Sequence, residues 1–431
     1  MPCEFCPHCR EQAQVDAALA AQVPQNDDLP VVAAPPAPNH IVPTLNGSQQ
    51  PIAFDICNNW RTDKLHFIEG NSNSGKTYLL HAIWCLFKNM PINVEVISQS
   101  SFPVPAKNML KFLALTDNLI EEIDVILIDS GNQIMEQHMK SLCEKLKRVM
   151  GNDTPFGGKT IIVVADFGQL LPFSPGNRNP RVGESLRHLT RNMVAPFKHH
   201  VLPVGTDDWA LLLDTVRKSP RVTFPAGVMV AHLDELISFC FGPLQGEPPI
   251  QTSIILTPKK EGTEVINRRV LEKMRGRIQI LEAQFNDRVI RSDLELHQLR
   301  LKKNCILVLE EPCEGLPKGT RLTFHEATRS HLCCTDIATN LSVDLPRVNR
   351  YLGPQRTEQQ LVKQFPVSVN FGATIHASEG RKFEKVGIYK AGQVFEHGML
   401  YTAVSRAESL EGLRVHSDEQ VIVNKLEMSL I

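Results

Sequence analysis

The stretch Phe67-Ile68-Glu69-Gly70-Asn71-Ser72-Asn73-Ser74-Gly75-Lys76-Thr77, followed by the largely apolar run Tyr78 to Trp84, decides the fold of this chain. It has the glycine, glycine-lysine-threonine spacing of a phosphate-binding loop, set between an apolar strand and an apolar helix. Gly70 and Gly75 let the backbone curl so that consecutive N–H groups point inward at an anion. The helix behind the loop adds the positive end of its dipole. Lys76 suits the β- and γ-phosphates, and the Thr77 hydroxyl suits Mg²⁺. The expected ligands are therefore ATP and Mg²⁺, cradled by Gly70, Asn71, Ser72, Asn73, Ser74, Gly75, Lys76 and Thr77. An ordinary glycine turn is the alternative, and the strand and helix flanks argue against it.

Outward from the loop, strands and helices alternate. Leu65–Ile68, Asn93–Ile97, Asp124–Asp129 and Lys159–Val164 have the apolar character of buried strands, and Thr77–Lys88, Met109–Ile120 and Gln133–Met150 have helical spacing. Such alternation predicts an α/β fold with a parallel sheet covered on both faces. A second series begins at Ser253–Leu256 and ends with Gly387–Tyr389 and the segment around Leu413. Cys305–Leu309 and Thr320–Phe324 have the look of short strands in a β insertion.

Composition narrows the setting. Among 431 residues the formal net charge is −1, so a nucleic-acid contact must come from local patches. No run of about eighteen apolar residues could span a membrane. Eleven irregularly spaced cysteines suit reduced thiols inside a cell. The first 45 residues, rich in Ala, Pro, Gln and Asn from Ala17 to Pro43, are expected to be a disordered tail. Cys3, Cys6, His8 and Cys9 are too tightly spaced to close a tetrahedral zinc site readily.

Asp129 ends an apolar strand where a Mg²⁺-holding carboxylate belongs, but the next residue is Ser130, where an ATPase usually has the glutamate that orients the attacking water. A hydroxyl cannot accept that proton near neutral pH, so hydrolysis should be slow unless another carboxylate substitutes, with Glu121 and Glu122 the first candidates. The next strand runs into Asp166-Phe167-Gly168-Gln169-Leu170-Leu171-Pro172, preceded by Phe156-Gly157-Gly158-Lys159. This arrangement resembles the γ-phosphate sensor of the Pif-type DNA helicases, a group that includes Helitron transposon helicases and is related to RecD.

The C-terminal half extends the resemblance. Asn370-Phe371-Gly372-Ala373-Thr374-Ile375-His376-Ala377-Ser378-Glu379-Gly380 is similar to a segment whose threonine and serine bind DNA phosphates, and Phe395 to Arg406 is similar to a final motif ending in an arginine finger. Gly315–Leu322 resembles the hairpin of the inserted subdomain. The resemblance covers about residues 46 to 416. It implies two RecA-like P-loop NTPase lobes, 46–218 and 219–431, with a β insertion at about 268–365. It also implies catalytic roles for Lys76, Asp129, Gln169 and Arg406, Mg²⁺ at Thr77 and Asp129, and DNA contact by Thr374 and Ser378. It implies adenine contact by Gln50, which fits best because Ala53 and Phe54 then fall in register, with Gln49 the alternative one residue away.

There are departures. Besides Ser130, the segment between Val94 and Met109 is too short for the family's first-lobe DNA motif. No arginine stands near Pro203-Val204-Gly205, where a second γ-phosphate contact is expected, although Arg191 is close. Ala377 and Glu379 replace a lysine and a glutamine, and Asn73 replaces a glycine. Three functions are in play. The first is an ATP-dependent helicase moving 5′ to 3′ on single-stranded DNA, in DNA repair, recombination or genome maintenance. The second is a hydrolysis-impaired relative serving as a nucleotide- and DNA- or protein-binding module. The third, a small-molecule kinase, is disfavoured by the Ala-Val-Ser-Arg motif far downstream. The expected location is intracellular, in the nucleus or alternatively the mitochondrion.

Overall fold

The computed structural model describes residues 42–98, 102–170, 196–285, 288–289, 298–351, 361–390, 394 and 396–426. The expected tail up to Ile41 lies outside them, as do Arg191 and the serines Ser100 and Ser101, which with Ser98 are what remains of the first-lobe DNA motif's character. The first lobe is built on five parallel strands: β1 (Leu65–Glu69), β2 (Val94–Ile97), β3 (Val125–Ile128), β4 (Thr160–Ala165) and β5 (Lys198–Val201), in the order β2-β3-β4-β1-β5. Side chains alternate across the sheet, and both faces are apolar. Phe67, Ile126, Ile128, Ile161 and Val163 meet Met139, Leu142 and Leu146 of the helix Glu136–Met150 on one side. Ile68, Val125, Leu127, Ile162 and Val164 meet Leu79, Leu80, Ile83 and Phe87 of the helix Lys76–Lys88 on the other. Each of these buried side chains is worth about 1.5–3 kcal/mol relative to exposure, which is why a run such as Val125–Ile128 has no polar face.

The second lobe carries its own parallel sheet, Gly372–Thr374, Ser253–Thr257, Lys385–Tyr389, Leu413–His416 and Met229–Val230 in spatial order. An antiparallel five-stranded sheet of Ser342–Pro346, His331–Asp336, Arg321–Ala327, Ile306–Leu309 and Val367–Val369 puts one apolar face, including Leu307, Leu322 and Phe324, into a single core with the helices Leu233–Phe241 and Lys260–Lys273. Two smaller antiparallel sheets lie between Gln279 and Gln364.

Several boundaries differ from expectation. Met109–Ile120 is two short helices, Met109–Leu113 and Asp117–Glu121; Asn108 caps the first and Thr116, with extended backbone, starts the second. The helix expected from Gln133 begins at Glu136, because Gly131–Gln133 forms a separate tight turn. The β insertion runs from Gln279 to Val369, since residues 268–273 complete a helix. The helix Asp208–Lys218, expected in the first lobe, packs Leu212, Leu213 and Val216 with Val222, Ile254, Met399 and Val404 of the second.

Where the lobes meet, the chain comes close enough to require glycine. Gly398 has φ +72°, and a Cβ there would sit 2.5 Å from the Gly168 carbonyl oxygen and 2.6 Å from the Gln169 carbonyl carbon. Gly151 also has a positive φ, +58°, with nothing within 4 Å of a Cβ. Gly151→Ala should therefore cost about 1–2 kcal/mol of backbone strain, whereas Gly398→Ala should cost about 3 kcal/mol because the lobes must also shift. Urea unfolding of the two variants measures the difference.

Candidate functional site

The phosphate loop leaves the end of β1 and winds into the helix Lys76–Lys88, with Gly75 in left-handed geometry at its cap. A larger residue is disfavoured at both glycines, at Gly75 by its positive φ of +81° and at Gly70 by Ser74 and Leu202, whose Cβ lies 3.1 Å from the added carbon. A Cβ at Gly70 would lie 2.5 Å from Ser74 Oγ, and one at Gly75 would lie 2.4 Å from Gln49 Nε2. The Lys76 ammonium donates to the loop's own carbonyls at Gly70 (2.8 Å) and Asn71 (2.6 Å). Burial pulls its pKa below the ordinary lysine value, against the opposing carboxylates of Asp166 and Asp129. The Ser74 hydroxyl is buried without a hydrogen-bond partner among the described residues. Glycine cradle, buried cation and unpartnered hydroxyl together fit a bound phosphate.

Asp129 follows β3 and is buried. The Thr77 hydroxyl donates to its Oδ1 at 3.1 Å, and the Ser98 and Ser130 hydroxyls reach its Oδ2 at 3.4 and 3.3 Å. Burial raises its pKa while the hydrogen bonds from Thr77 and Ser130 hold it down. A hydroxyl and a carboxylate side by side are hard oxygen donors that fit Mg²⁺. Ser130 has φ 55°, a left-handed geometry that turns its hydroxyl back onto Asp129.

The second lobe closes the site. A cleft of about 310 Å³ is lined from one side by Lys76, Thr77, Asp129 and Gln169 and from the other by Lys382 and Arg406. Arg406 is buried, and its Nη2 donates to Gln169 Oε1 at 3.1 Å. Asp166, fully buried at the end of β4, ties the lobes together. It pairs with Arg217 Nε at 3.3 Å and accepts from Gln169 Nε2 at 3.2 Å and from the Tyr401 hydroxyl at 2.9 Å. That hydroxyl in turn accepts from the Ser72 backbone N–H at 2.6 Å. Arg217 also reaches Glu69 at 3.1 Å, and the Thr402 hydroxyl accepts from Leu170 N–H at 2.9 Å.

Residues 109–191 match the family model of PIF1-like helicases. The ATP-dependent DNA helicase PIF1 of Xenopus laevis is 26% identical over 333 residues, 69% of this chain and 47% of that protein. Human PIF1 is 26% identical over 306 residues, 67% of this chain and 45% of that protein. The chain thus spans less than half the length of these curated relatives. A Bacteroides Pif1 helicase, solved with ADP-AlF3 and single-stranded DNA, superposes with a TM-score of 0.60 at 19% identity, covering 90% of this chain and 96% of that one. The Candida albicans Pif1 helicase gives 0.58 at 18% identity, covering 88% and 96%. The chain is similar to the Pif1-like helicases. The fold it shares with them is the pair of RecA-like lobes.

Against the Pif-type pattern, some residues fall elsewhere than the sequence suggested. Gln49, not Gln50, is buried beside the phosphate loop, with its amide 3.5 Å from the Gly75 carbonyl; Gln50 is exposed and bonds the Leu45 carbonyl. One step along the helix Gln49–Asn59 turns a side chain by about 100°, so register decides which amide faces inward. Ser378 is buried, with its hydroxyl donating to the Ile375 carbonyl; Thr374 is half-buried and accepts from Ala377 N–H. Glu121 and Glu122 precede β3, at the opposite end of that strand from Asp129, so neither can serve the site. The carboxylate that does approach is Glu379, which accepts from Gln133 across the cleft at 3.3 Å. Burial pushes its pKa up to about 7, with His376 and Arg406 pulling the other way.

Sequence reasoning gave no role to Asp166, Arg217 or Tyr401. Asp166 and Tyr401 lay within the Asp-Phe-x-Gln pattern and the Phe395 to Arg406 motif, while Arg217 had no local signal; the partners of all three are set by tertiary packing. Removing one partner of a buried ion pair leaves an uncompensated charge, which costs about 3–5 kcal/mol. Arg217→Met should lose that much in denaturant unfolding. Asp166→Asn combined with it should lose clearly less than the sum of the two single changes.

Proposed function

We propose that this chain is an ATP-dependent DNA helicase of the Pif type, slowed at the hydrolytic step, that binds Mg²⁺-ATP between its lobes and tracks 5′ to 3′ on single-stranded DNA. The observation that carries the proposal is the meeting of Lys76, Thr77 and Asp129 from one lobe with Arg406 from the other in a single cleft, bridged by Gln169. Cations approaching from both sides suit the charge that spreads over a transferring phosphoryl group. The ATP analogue and single-stranded DNA bound to the Bacteroides relative support the choice of ligands. Bound Mg²⁺ would neutralise phosphate charge, with Thr77 and Asp129 as its protein ligands. Under this proposal the chain works in the nucleus, or alternatively the mitochondrion, in repair, recombination or genome maintenance.

A second reading, a nucleotide- and DNA- or protein-binding module without useful turnover, is favoured by Ser130 alone. Its hydroxyl is committed to Asp129 and cannot act as the base. Nucleotide binding and hydrolysis should therefore separate. Lys76→Ala should weaken Mg²⁺-ATP binding tenfold or more, about 1.4 kcal/mol, in a fluorescent-nucleotide titration. Ser130→Glu should raise steady-state ATPase by about 10²–10⁴ while leaving that affinity nearly unchanged. Fast wild-type turnover would reject the impaired-base reading; equal affinity of wild type and Lys76→Ala would reject the site itself.

Glu379 gives the DNA interaction a pH dependence. With its pKa near 7, it is largely neutral at pH 6 and ionised at pH 8, where it repels phosphate. Single-stranded DNA affinity of wild type and Glu379→Gln should be similar at pH 6 and diverge at pH 8, with the variant binding tighter and the gain shrinking as salt rises. His376, paired with Glu396 at 2.8 Å, is coupled to Glu379, whose charge raises its pKa, so the comparison is repeated in a His376→Gln background.

A further inference from the structure

Asn73 stands in the phosphate loop where the family pattern has glycine, and its backbone takes the left-handed geometry, φ 68°, that glycine would otherwise supply. Its side-chain oxygen reaches across the cleft and accepts a hydrogen bond from the Lys382 ammonium of the second lobe. Lys382 also donates to the Ser405 carbonyl, next to Arg406. Both acceptors are neutral. The ammonium thus lies beside Lys76 and Arg406, and among the described residues no carboxylate is hydrogen-bonded to it and one of its three N–H donors is unused. Lys382 keeps solvent access as a whole residue, while desolvation of its ammonium in the cleft, with Arg406 and Lys76 adding to it and Glu408 opposing, lowers its pKa to about 7. A cation held among other cations by carbonyls is poorly satisfied by protein alone, and an anion entering the cleft would relieve it.

We propose that Lys382 is a phosphate ligand of the nucleotide site, delivered by the second lobe and positioned by Asn73 to meet the terminal phosphate of a nucleoside triphosphate. The proposal rests on the nucleotide-site assignment above. It names the γ-phosphate because Ser405, which holds Lys382, adjoins Arg406, and Arg406 bonds Gln169, the residue whose motif resembles a γ-phosphate sensor. The position also accounts for a loss elsewhere. The lysine that the family carries at residue 377 is an exposed alanine here, and Lys382 returns a positive charge to the same turn, five residues on and facing the cleft.

The test is a titration of the full chain with fluorescent ATP and ADP in the presence of Mg²⁺, comparing wild type, Lys382→Ala, Lys382→Arg and Lys76→Ala, each checked by thermal unfolding. Lys382→Ala should weaken ATP binding by about tenfold and ADP binding by less than about twofold. Lys382→Arg should restore ATP affinity to within about threefold of wild type. If Lys76→Ala loses affinity while Lys382→Ala binds ATP as wild type does, the role of Lys382 is refuted and the nucleotide site stands. Equal loss of ATP and ADP without rescue by arginine makes Lys382 a structural contact and overturns the proposal as well. If Lys76→Ala loses nothing, the nucleotide site itself is wrong and this proposal falls with it.

Discussion

A single buried carboxylate sets the relation between the lobes. Asp166 sits at the end of β4 with no exposure to water, and a charge in that position is tolerable only when it is fully partnered. Its partners come from three parts of the chain: Gln169 just downstream, Arg217 on the helix that leads into the second lobe, and Tyr401 within that lobe. Separating the lobes would strand the charge. The docking of Gly398 against the Gly168 carbonyl and the Thr402–Leu170 hydrogen bond follow from that same approach, since they flank Asp166 on the adjoining backbone. Apolar burial builds each lobe, but this polar knot orients one against the other.

The knot also reaches the phosphate loop. Tyr401 donates to Asp166 and accepts from Ser72 N–H, so one amide of the loop is held by the second lobe. The Asn73–Lys382 contact is a second such link. A change in what the loop binds is thereby coupled to the lobe interface through hydrogen bonds rather than through distant packing, which is the physical requirement for turning nucleotide state into lobe motion. Arg217 adds to the coupling because it bonds Asp166 and Glu69, the last residue of β1 before the loop begins.

Much of this was legible in the sequence, for identifiable reasons. The loop, β1, β3, β4 and Asp129 declare themselves through local rules: glycines at fixed spacing, and apolar runs too short for helices and too uniform for a one-sided sheet. Arg406 was found through its motif. What escaped is what tertiary contact decides. Nothing local marks Arg217 as the partner of a residue 51 positions away, nor Tyr401 as a bridge between Ser72 and Asp166. Gln49 and Gln50 are chemically identical neighbours, separated only by which side of the helix meets the loop. The helix Asp208–Lys218 shows the same limit, for its apolar stripe says that it is buried without saying against which lobe.

The distribution of the departures carries the functional argument. Binding a triphosphate depends on backbone donors and cations, and those groups converge in the structure: the glycine loop, Lys76, Thr77, Asp129, Gln169 and Arg406. Hydrolysis needs one thing more, a base that holds and deprotonates water. The residue that should supply it is a serine folded back onto Asp129, and Glu121 and Glu122 are a full strand away. Glu379 approaches Gln133 from the other lobe, but its charge is drawn toward Arg406 and its oxygen accepts from Gln133. A base so engaged can take a proton only by giving up contacts that help hold the lobes together. Nucleotide capture and lobe closure can therefore be intact in a chain whose chemical step is slow, because the two tasks rest on different atoms of the same cleft.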